Sequence, residues 1–313
     1  MRSVFVDCSP FVRNLMTPEI AAIAPDLHVH VGDPDPARLA ELLGGAVAVV
    51  NGHTRMDATL LVAHPMLRSI VFLGSGPASY IDLAAAERLG IRVRAVLNYG
   101  DRTVAEHGFA LILAAARRVA AMDHDLRSGV WQPLDGIELA GKTLGVVGLG
   151  GIGREMVRIA HGFGMRVVAW SRGGVASDLP CLGMDLDELL RNANVVSLNL
   201  RLDEATRRII DARRIGLLQP GAILVNTARG GLVDEDALVA ALHARRIGHA
   251  ALDVFATEPL PLGHPLTLLD NVTLTAHAGF KTPEATKRLI ASGLRLLRQD
   301  LDSLAAGATL PRA

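Results

Sequence analysis

Short runs of β-branched and other apolar residues alternate along this chain with stretches that have helical spacing. In the first part of the chain the runs are VFVD, HVHV, VAVV, SIVFL and IRVRA, and helical patterns such as ARLAELLG and IDLAAAERLG lie between them. Strands that alternate with helices indicate a parallel sheet covered on both faces. The alternation therefore predicts the α/β class.

A second series of strand and helix patterns follows a long apolar segment. That segment, TVAEHGFALILAAARRVAAMDHDLR at 103–127, has the length and apolar spacing of one long, largely buried helix. After it come six strand patterns, KTLGVVG, MRVVAW, NVVSLNL, GAILVN, GHAALDV and NVTLTA, with helical patterns between them. Six strands match the count of a doubly wound dinucleotide-binding sheet.

The last helix pattern indicates how the chain is divided. TPEATKRLIASGLRLLRQDLDSLAAG begins with Thr282 as a helix cap and Pro283 at the first helical position. We expect this helix to return to the first domain. The predicted domains are therefore 1–98 together with 285–313, and 99–284, with a cleft between them.

Composition and charge exclude several classes of protein. The chain has 313 residues, of which 50% are hydrophobic, so it can bury a sizeable core. Its 32 basic and 32 acidic residues cancel, which argues against nucleic acid or an anionic membrane as a partner.

The sequence shows no targeting or membrane segment. MRSVFVDCSP contains no apolar signal-peptide region, and runs such as FALILAAA are too short to cross a bilayer, so a cytoplasmic protein is expected. Cys8 and Cys181 lie far apart and no HExxH occurs, so neither a disulfide framework nor a metal site is predicted.

A glycine turn provides the first functional signal. In KTLGVVGLGGIGREM, Gly148, Gly150 and Gly153 have GxGxxG spacing between a strand pattern and a helix pattern. The first glycine permits the tight turn, the second lets the backbone approach a pyrophosphate, and the third lets the helix pack closely on the strand. Gly151 and Ile152 are the expected N–H donors, because the start of a helix attracts phosphate. Tight turns also need glycine for structural reasons alone, but this context predicts dinucleotide binding.

The end of the next strand pattern, VVAWSRGG, bears on which dinucleotide is bound. Where the fingerprint expects an acid on the ribose 2′-hydroxyl, this chain has Ser171 and Arg172. An acid there would repel a 2′-phosphate, whereas serine can donate one hydrogen bond to it and arginine a bidentate, charge-assisted pair. NADP(H) is therefore favoured and NAD(H) remains possible. The alternative is that Arg172 only decorates an exposed loop.

Three further motifs place reactive side chains at or just after strand ends. They are VNTARGG with Arg229, ALDVFATEP with Asp253 and Glu258, and TLTAHAGFKT with His277. An arginine can clamp a carboxylate, a histidine can carry a proton near neutral pH, and a neighbouring glutamate can orient that histidine. Together these groups suit reduction of a 2-oxo acid. Each also has a structural alternative, as a turn cap, a solvated acid or a strand-end histidine, and spacing does not show that the three converge.

The chain resembles the D-2-hydroxyacid dehydrogenases over nearly its whole length. The segments that carry the resemblance are LRSIVFLGSGPASYIDLAAAERLGIRV, TVAEH, ELAGKTLGVVGLGGIGRE, VNTARGGLVDEDAL, ALDVFATEPLP and AHAGFKTPEA, in the order seen in that family. The resemblance implies that Arg229, Glu258 and His277 are catalytic. It also implies that residues 73–76 bind the substrate carboxylate through backbone amides, and that Asp253 lies beside the nicotinamide carboxamide.

The resemblance completes the predicted site and fold. The predicted cofactor-binding residues are Gly148, Gly150, Gly151, Ile152, Gly153, Ser171, Arg172, Leu200, Arg201, Thr227, Ala228, Asp253 and Gly279, and the predicted substrate-binding residues are Leu73, Gly74, Ser75, Gly76, Arg229 and His277. Arg201 replaces a common proline and either adds positive charge near the adenosine or is a solvated loop residue. Ala276 also replaces a proline, which leaves the loop of His277 less restricted. The predicted fold is a flavodoxin-like substrate domain and a Rossmann cofactor domain, both doubly wound.

Within the family, Ser171 in place of the ribose acid is similar to NADPH-preferring glyoxylate and hydroxypyruvate reductases. The chain ends soon after the last helix, so we expect no appended regulatory domain and rank a phosphoglycerate dehydrogenase second. A dinucleotide-sensing, corepressor-like binding protein is the alternative from another class. By resemblance we expect a homodimer through the cofactor domain, with the helix from Thr103 and the segment around Trp131 as interface pieces.

Overall fold

The computed structural model describes residues 1–175, 178–308 and 310. The chain divides into two compact units, Met1–Gly100 with Lys281–Ala313, and Asp101–Phe280. The divisions follow residues 100 and 280, against predicted divisions after residues 98 and 284. Residues 176, 177, 309 and 311–313, the last four of which belong to the predicted first domain, lie outside the described residues.

Each unit is built on one sheet flanked by helices. The strands are β1 (Ser3–Cys8), β2 (Leu27–Val31), β3 (Ala48–Asn51), β4 (Ser69–Phe72), β5 (Arg92–Ala95), β6 (Thr143–Val147), β7 (Arg166–Trp170), β8 (Leu182–Gly183), β9 (Val195–Leu198), β10 (Ile223–Asn226), β11 (His249–Leu252) and β12 (Val272–Leu274). The helices are α1 (Pro10–Leu15), α2 (Pro18–Ala21), α3 (Pro36–Leu43), α4 (Ala58–Ala63), α5 (Leu83–Arg88), α6 (Asp101–Ala116), α7 (Val119–Arg127), α8 (Gly151–Gly162), α9 (Leu186–Asn192), α10 (Ala212–Ile215), α11 (Glu235–His243) and α12 (Pro283–Ala305). Short 3-10 helices cover Pro77–Ser79, Gly230–Leu232 and Pro265–Leu268.

The sheet of the first unit is parallel, in the order β2-β1-β3-β4-β5. This is the flavodoxin-like doubly wound order. β1, β3 and β4 are buried along their whole length, as expected for central strands covered on both faces. The predicted class and the predicted flavodoxin-like sheet are confirmed.

Helix α12 belongs to the first unit, where it packs on β3 and β4. Its cap is the predicted one, because Thr282 accepts a hydrogen bond from the N–H of Ala285 and Pro283 is the first helical residue. Asp300 of this helix is fully buried and accepts hydrogen bonds from Ser69 at 2.7 Å and from Arg92 at 3.0 Å. A buried carboxylate needs such partners, so they fix the helix on its sheet.

The sheet of the second unit has seven parallel strands, in the order β12-β11-β10-β9-β6-β7-β8. This is the order of a Rossmann sheet with β12 added at one edge, and its switch point lies between β6 and β9, because the chain winds outward from β6 to β8 on one side and from β9 to β12 on the other. The prediction of six strands missed β8. That strand is two exposed residues beside β7, so it forms through pairing and has no apolar pattern of its own.

The predicted single helix at 103–127 was also wrong, because α6 and α7 are separated at Arg118. Arg118 has φ 54°, in the left-handed region, which an α-helix excludes. Ala116 is the last residue of α6, and its carbonyl accepts a hydrogen bond from outside the helix, from the N–H of Ile137 at 2.8 Å. The helix therefore breaks where a distant segment supplies the donor.

Apolar side chains cover both faces of the second sheet in two clusters, and a third cluster forms the core of the first unit. In the described part of the chain, no helix has both the length and the apolar character needed to cross a membrane.

Candidate active site

The glycine turn follows β6 directly, and two of its three glycines have no room for a side chain. Gly148 has φ +100°, and a Cβ there would lie 2.6 Å from the carbonyl oxygen of Asn199. A Cβ on Gly153 would lie 1.9 Å from the carbonyl oxygen of Gly148. By contrast, a Cβ on Gly150 would enter open space. Two glycines are therefore required by packing, while Gly150 leaves the turn accessible from outside.

Helix α8 starts at this turn without a side-chain cap. Its N-cap residue is Gly150, which has no side chain to accept from the first N–H groups. The donors at Gly151 and Ile152 therefore suit a pyrophosphate, and the open approach at Gly150 fits one. Gly151 makes room for an acid, because its Cβ would lie 1.7 Å from Oδ2 of Asp101. Burial, and then the charge of Glu155, raise the pKa of Asp101.

Strand register brings two loops beside the glycine turn. Val147 pairs with Trp170 of β7 on one side and with Leu198 of β9 on the other. Ser171 and Arg172 therefore start the loop on one side, and residues 199–203 form the loop on the other. The side chain of Leu200 lies against the turn, 2.8 Å from an added Gly148 Cβ.

Arg172, just after β7, forms a salt bridge. Its Nη2 donates to Oδ2 of Asp203 at 3.0 Å. Arg201 is exposed, and within the described residues its side chain pairs with no acid. The sequence predicted that Arg172 binds a phosphate, but it did not predict that a carboxylate lies next to Arg172.

Arg229 lies in a loop whose backbone is held by the side chain of Asn226. The buried Asn226, at the end of β10, donates from Nδ2 to the carbonyl of Arg229 at 2.9 Å and accepts from the N–H of Ala228 at 3.0 Å. The guanidinium donates to the carbonyl of Ala228 and, within the described part of the chain, pairs with no acid. Its charge is therefore open to an external carboxylate.

The loop of Arg229 packs directly on the loop that carries Glu258. A Cβ on Gly230 would lie 1.9 Å from the backbone carbon of Phe255, so only glycine permits this approach. The N–H of Phe255 donates to Oε1 of Glu258 at 2.9 Å. Oε2 of Glu258 lies 2.7 Å from Nδ1 of His277. Glu258 and His277 are therefore in direct contact, which their spacing in the sequence did not show.

His277 is held by the backbone around Asp253. Its N–H donates to the carbonyl of Asp253 at 2.8 Å, and its φ of 49° is unusual for a residue other than glycine. The carboxylate of Asp253 accepts from the N–H groups of Ala278 at 2.8 Å and Gly279 at 2.9 Å. These bonds restrain the loop although Ala276 replaces a proline.

A buried polar network supports Asp253. Thr275 donates to Oδ1 of Asp253 at 2.6 Å, and Nε2 of His107 lies 3.0 Å from the Thr275 hydroxyl. Burial opposes ionisation, but hydrogen bonds from His107, Thr275 and two backbone N–H groups outweigh it and lower the pKa of Asp253 to about 2. Asp253 is therefore a carboxylate at neutral pH.

The sequence prediction missed His107, Thr275, Asn226 and Asp203. His107, Thr275 and Asn226 lie inside the quoted motifs TVAEH, TLTAHAGFKT and VNTARGG, so the motifs contained the signal.

Thr227 and Ala228, two further predicted cofactor residues, are nearly buried just after β10. Because Asn226 pairs with Leu252 of β11, Thr227 lies level with Asp253.

The segment predicted to bind the substrate carboxylate lies in the first unit, after β4. The N–H of Leu73 donates to Asn51 and that of Gly74 to Phe72. Among the described residues, the N–H groups of Ser75 and Gly76 donate to no protein acceptor. The binding role of this segment stays a prediction, with those two amides as its available donors.

The residues that the structure describes include no group of three or more histidine, cysteine or acidic side chains able to hold a metal ion.

A Rossmann sheet with an uncapped helix after a glycine turn, and a carboxylate-bound histidine in the same unit, define an NAD(P)-dependent oxidoreductase. A sequence profile described as D-isomer specific 2-hydroxyacid dehydrogenase, NAD binding domain, matches residues 109–279. The chain belongs to this family, which confirms the resemblance.

Individual relatives agree with this assignment. The chain is 41% identical to the glyoxylate reductase of Aeropyrum pernix, over 75% of this chain and 73% of that protein. It is 38% identical to the hydroxypyruvate reductase of Thermotoga maritima, over 78% and 80%. It is also 37% identical to the D-3-phosphoglycerate dehydrogenase of Mycobacterium leprae, over 88% of this chain and 54% of that protein. The crystal structure of a glyoxylate reductase from Paecilomyes thermophila matches with a TM-score of 0.85 and 27% identity, covering 100% of this chain and 98% of that one.

Proposed function

We propose that this protein reduces a small 2-oxo acid of the glyoxylate or hydroxypyruvate type to the D-2-hydroxy acid, with NADPH preferred over NADH. The observation that carries the proposal is the contact of 2.7 Å between Nδ1 of His277 and Oε2 of Glu258. This acid–base pair lies in the same unit as the dinucleotide turn and as Arg229, which pairs with no acid among the residues that the structure describes. The similarity to a glyoxylate reductase and a hydroxypyruvate reductase supports the substrate class.

The proposed chemistry adds a hydride and a proton to a carbonyl group. When bound, the nicotinamide would supply the hydride for the carbonyl carbon. Because Glu258 occupies Nδ1 of His277, Nε2 is the ring nitrogen that gives its proton to the carbonyl oxygen. The carboxylate of Glu258 stabilises the imidazolium before that transfer and orients the ring. Oxidation of the hydroxy acid reverses both transfers, with His277 taking the proton.

Arg229 is the proposed anchor for the substrate. Its guanidinium fork can bind the substrate carboxylate bidentately and polarise the adjacent carbonyl. The backbone contact between Gly230 and Phe255 sets its loop against the loop that carries Glu258. This contact supports a single site in which carboxylate binding and proton transfer act on neighbouring atoms of one substrate.

Proposed cofactor binding uses the glycine turn and the loops beside it. The N–H groups of Gly151 and Ile152 would hold the pyrophosphate, and Ser171 and Arg172 would contact the 2′-phosphate of NADPH. Asp253, ionised and close to His277, suits the carboxamide of the nicotinamide as an acceptor. These roles agree with the position of the groups, because the start of α8 and the loops after the strands lie at the carboxyl edge of the sheet, where a dinucleotide binds.

A panel of 2-oxo acids assayed with NADH and NADPH in parallel tests the proposal. Glyoxylate and hydroxypyruvate are expected to give turnover, with a higher kcat/KM for NADPH. Greater turnover of phosphohydroxypyruvate would instead indicate a phosphoglycerate dehydrogenase. Binding of dinucleotide without turnover of any 2-oxo acid would favour the corepressor-like alternative.

The role of His277 is tested by replacement. His277→Ala is expected to reduce kcat by roughly 10² to 10⁴ while dinucleotide affinity stays within about twofold, because the proton is transferred in the transition state. His243→Ala, at the exposed end of α11, is the matched control and should retain full activity. Unchanged kcat in the His277 variant would remove it from the mechanism.

We also propose that the protein is a homodimer through its cofactor domain. Exposed apolar residues lie on α7 and on the segment after it: Val119, Leu126, Val130 and Trp131, the last of which is 87% exposed. Such a group of apolar side chains is typical of an interface. Light scattering should give twice the chain mass, and Trp131→Ala should shift the mass toward that of one chain.

A further inference from the structure

The salt bridge between Arg172 and Asp203 joins two loops on opposite sides of the glycine turn. Nη2 of Arg172, after β7, donates to Oδ2 of Asp203, after β9, at 3.0 Å. Because β7 and β9 flank β6, the pair lies at the carboxyl edge of the sheet on both sides of Gly148. This edge is where the adenosine end of a dinucleotide would be bound.

Asp203 is the better anchored member of the pair. Its Oδ1 accepts from the N–H of Thr206 at 2.9 Å, and Thr206 is fully buried. The hydrogen bond from the Thr206 hydroxyl, which lies 3.0 Å from the same oxygen, is the main cause that lowers the pKa of Asp203; burial opposes it, and Arg172 and the N–H of Thr206 add to it. The side chain of Arg172 is 56% exposed against 37% for Asp203. A negative charge is thus fixed beside the turn, and the arginine reaches toward it.

This charge matters for a cofactor that carries a 2′-phosphate. To bind the phosphate, Arg172 must either leave Asp203 or bring the phosphate close to a carboxylate. The first route loses an ion pair and the second adds like-charge repulsion, so both weaken phosphate binding. A free 2′-hydroxyl meets neither penalty.

We propose that Asp203 is a specificity-determining residue that holds the guanidinium of Arg172 and weakens the preference for NADP(H) over NAD(H). The inference rests on the proposed function, because it assumes that the adenosine end of the cofactor lies at these two loops. Asp203 keeps the enzyme able to use both cofactors, although Ser171 and Arg172 alone predict discrimination in favour of the phosphate.

Asp203→Asn tests this with nucleotide fragments. Asparagine retains an oxygen for the N–H of Thr206 but loses the charge that holds Arg172. Isothermal titration calorimetry should show about three- to tenfold tighter binding of 2′,5′-ADP, a gain that shrinks at high salt. Binding of 5′-AMP should change by less than about twofold. The ratio of kcat/KM for NADPH over NADH should rise by the same factor as the 2′,5′-ADP affinity.

Two further variants separate the charge pair from a general effect on the loop. Asp270→Asn breaks the exposed pair of Arg245 and Asp270, before β12, and should leave both affinities unchanged. In the Arg172→Ala background, Asp203→Asn should give a clearly smaller gain for 2′,5′-ADP than in the wild type, because no guanidinium is released.

The inference is wrong if Asp203→Asn leaves 2′,5′-ADP affinity unchanged, if it alters 5′-AMP affinity equally, or if its gain persists without Arg172. Absence of turnover with every 2-oxo acid would contradict the proposed function instead. The fragment titrations do not depend on turnover, so the two failures are distinguishable.

Discussion

Nδ1 of His277 lies 2.7 Å from Oε2 of Glu258, and the other carboxylate oxygen of Glu258 accepts from the N–H of Phe255 at 2.9 Å. Both oxygens of the glutamate therefore have fixed donors. The imidazole is oriented through one nitrogen, which leaves Nε2 for proton exchange. In the proposed mechanism, Glu258 is the orienting group and His277 the proton-transferring group, a common division in acid–base catalysis.

Glu258→Gln should lower kcat without preventing folding. Glutamine can still accept from Phe255, but it has no charge to stabilise the imidazolium. Loss of a hydrogen bond to a charged group corresponds to about a ten- to hundredfold decrease in kcat. Steady-state kinetics measure the decrease, and Glu87→Gln, on the exposed face of α5, is the control. A kcat equal to that of the wild type would show that the pair has no catalytic role.

Arg229→Lys should raise the KM for the 2-oxo acid and lower kcat/KM by about ten- to hundredfold, because lysine offers a point charge in place of a planar fork. Arg245→Lys, in an exposed ion pair, should have no effect on the same assay. Equal kcat/KM for the Arg229 variant and the wild type would argue against a bidentate carboxylate contact.

Gly151→Ala should destabilise the protein by about 1–3 kcal/mol, because its Cβ would lie 1.7 Å from the present position of Oδ2 of Asp101. Urea unfolding measures the loss. Gly162→Ala lies in the same helix, where a Cβ would meet no atom of the described residues within 4 Å, so it should be neutral or slightly stabilising. Adding Asp101→Ala to Gly151→Ala should recover most of the stability. Failure to recover it would show that the acid is not the obstacle.

Asp253→Asn should reduce both stability and turnover. Ala278 donates to Oδ1 and Gly279 to Oδ2, and asparagine keeps only one of these two oxygens, so one of the two N–H groups would face the new NH₂ group and lose its acceptor, at a cost of about 1–3 kcal/mol. Urea unfolding at neutral pH measures the cost, and kcat reports the displaced loop of His277. A variant with wild-type stability and kcat would contradict the supporting role of Asp253.

The same residue predicts part of the acid sensitivity. The pKa of Asp253 is lowered from 3.8 to about 2 in the folded protein. Its contribution to stability is therefore complete above pH 3.8 and disappears as the pH falls through about 2. Unfolding curves between those pH values should fall less steeply for Asp253→Asn than for the wild type. Parallel curves for the two proteins would argue against this contribution.

His249 predicts a second decrease at a higher pH. Its burial, and then the charge of Arg118, lower the pKa of this histidine from 6.5 to about 4. A histidine that is buried in its neutral form stabilises the fold above pH 6.5, and that contribution is lost as the pH falls through about 4. His249→Gln should therefore flatten the stability profile between pH 6.5 and 4, as measured by urea unfolding. An identical slope in the variant would show that another group titrates there.

Local patterns in the sequence were sufficient for the elements that depend on near neighbours. The alternation of strands and helices, the GxGxxG turn and the Thr282–Pro283 start of α12 are each contained within a few residues. They predicted both sheets except for β8, and they predicted the dinucleotide turn. The proposed catalytic residues Arg229, Glu258 and His277 were named by resemblance, because they follow three different strands.

Tertiary structure decided the features whose partners lie far apart in the chain. Helix α6 ends where Ile137 donates to the carbonyl of Ala116, and β8 forms by pairing with the edge of β7. Arg172 has a carboxylate partner 31 residues away, and His277 is oriented by one 19 residues away. Periodicity reports which face of an element is apolar, but it carries no information about which loops meet at the edge of a sheet. Sequence alone therefore determined the class of fold and the cofactor turn, and packing determined which charges face one another.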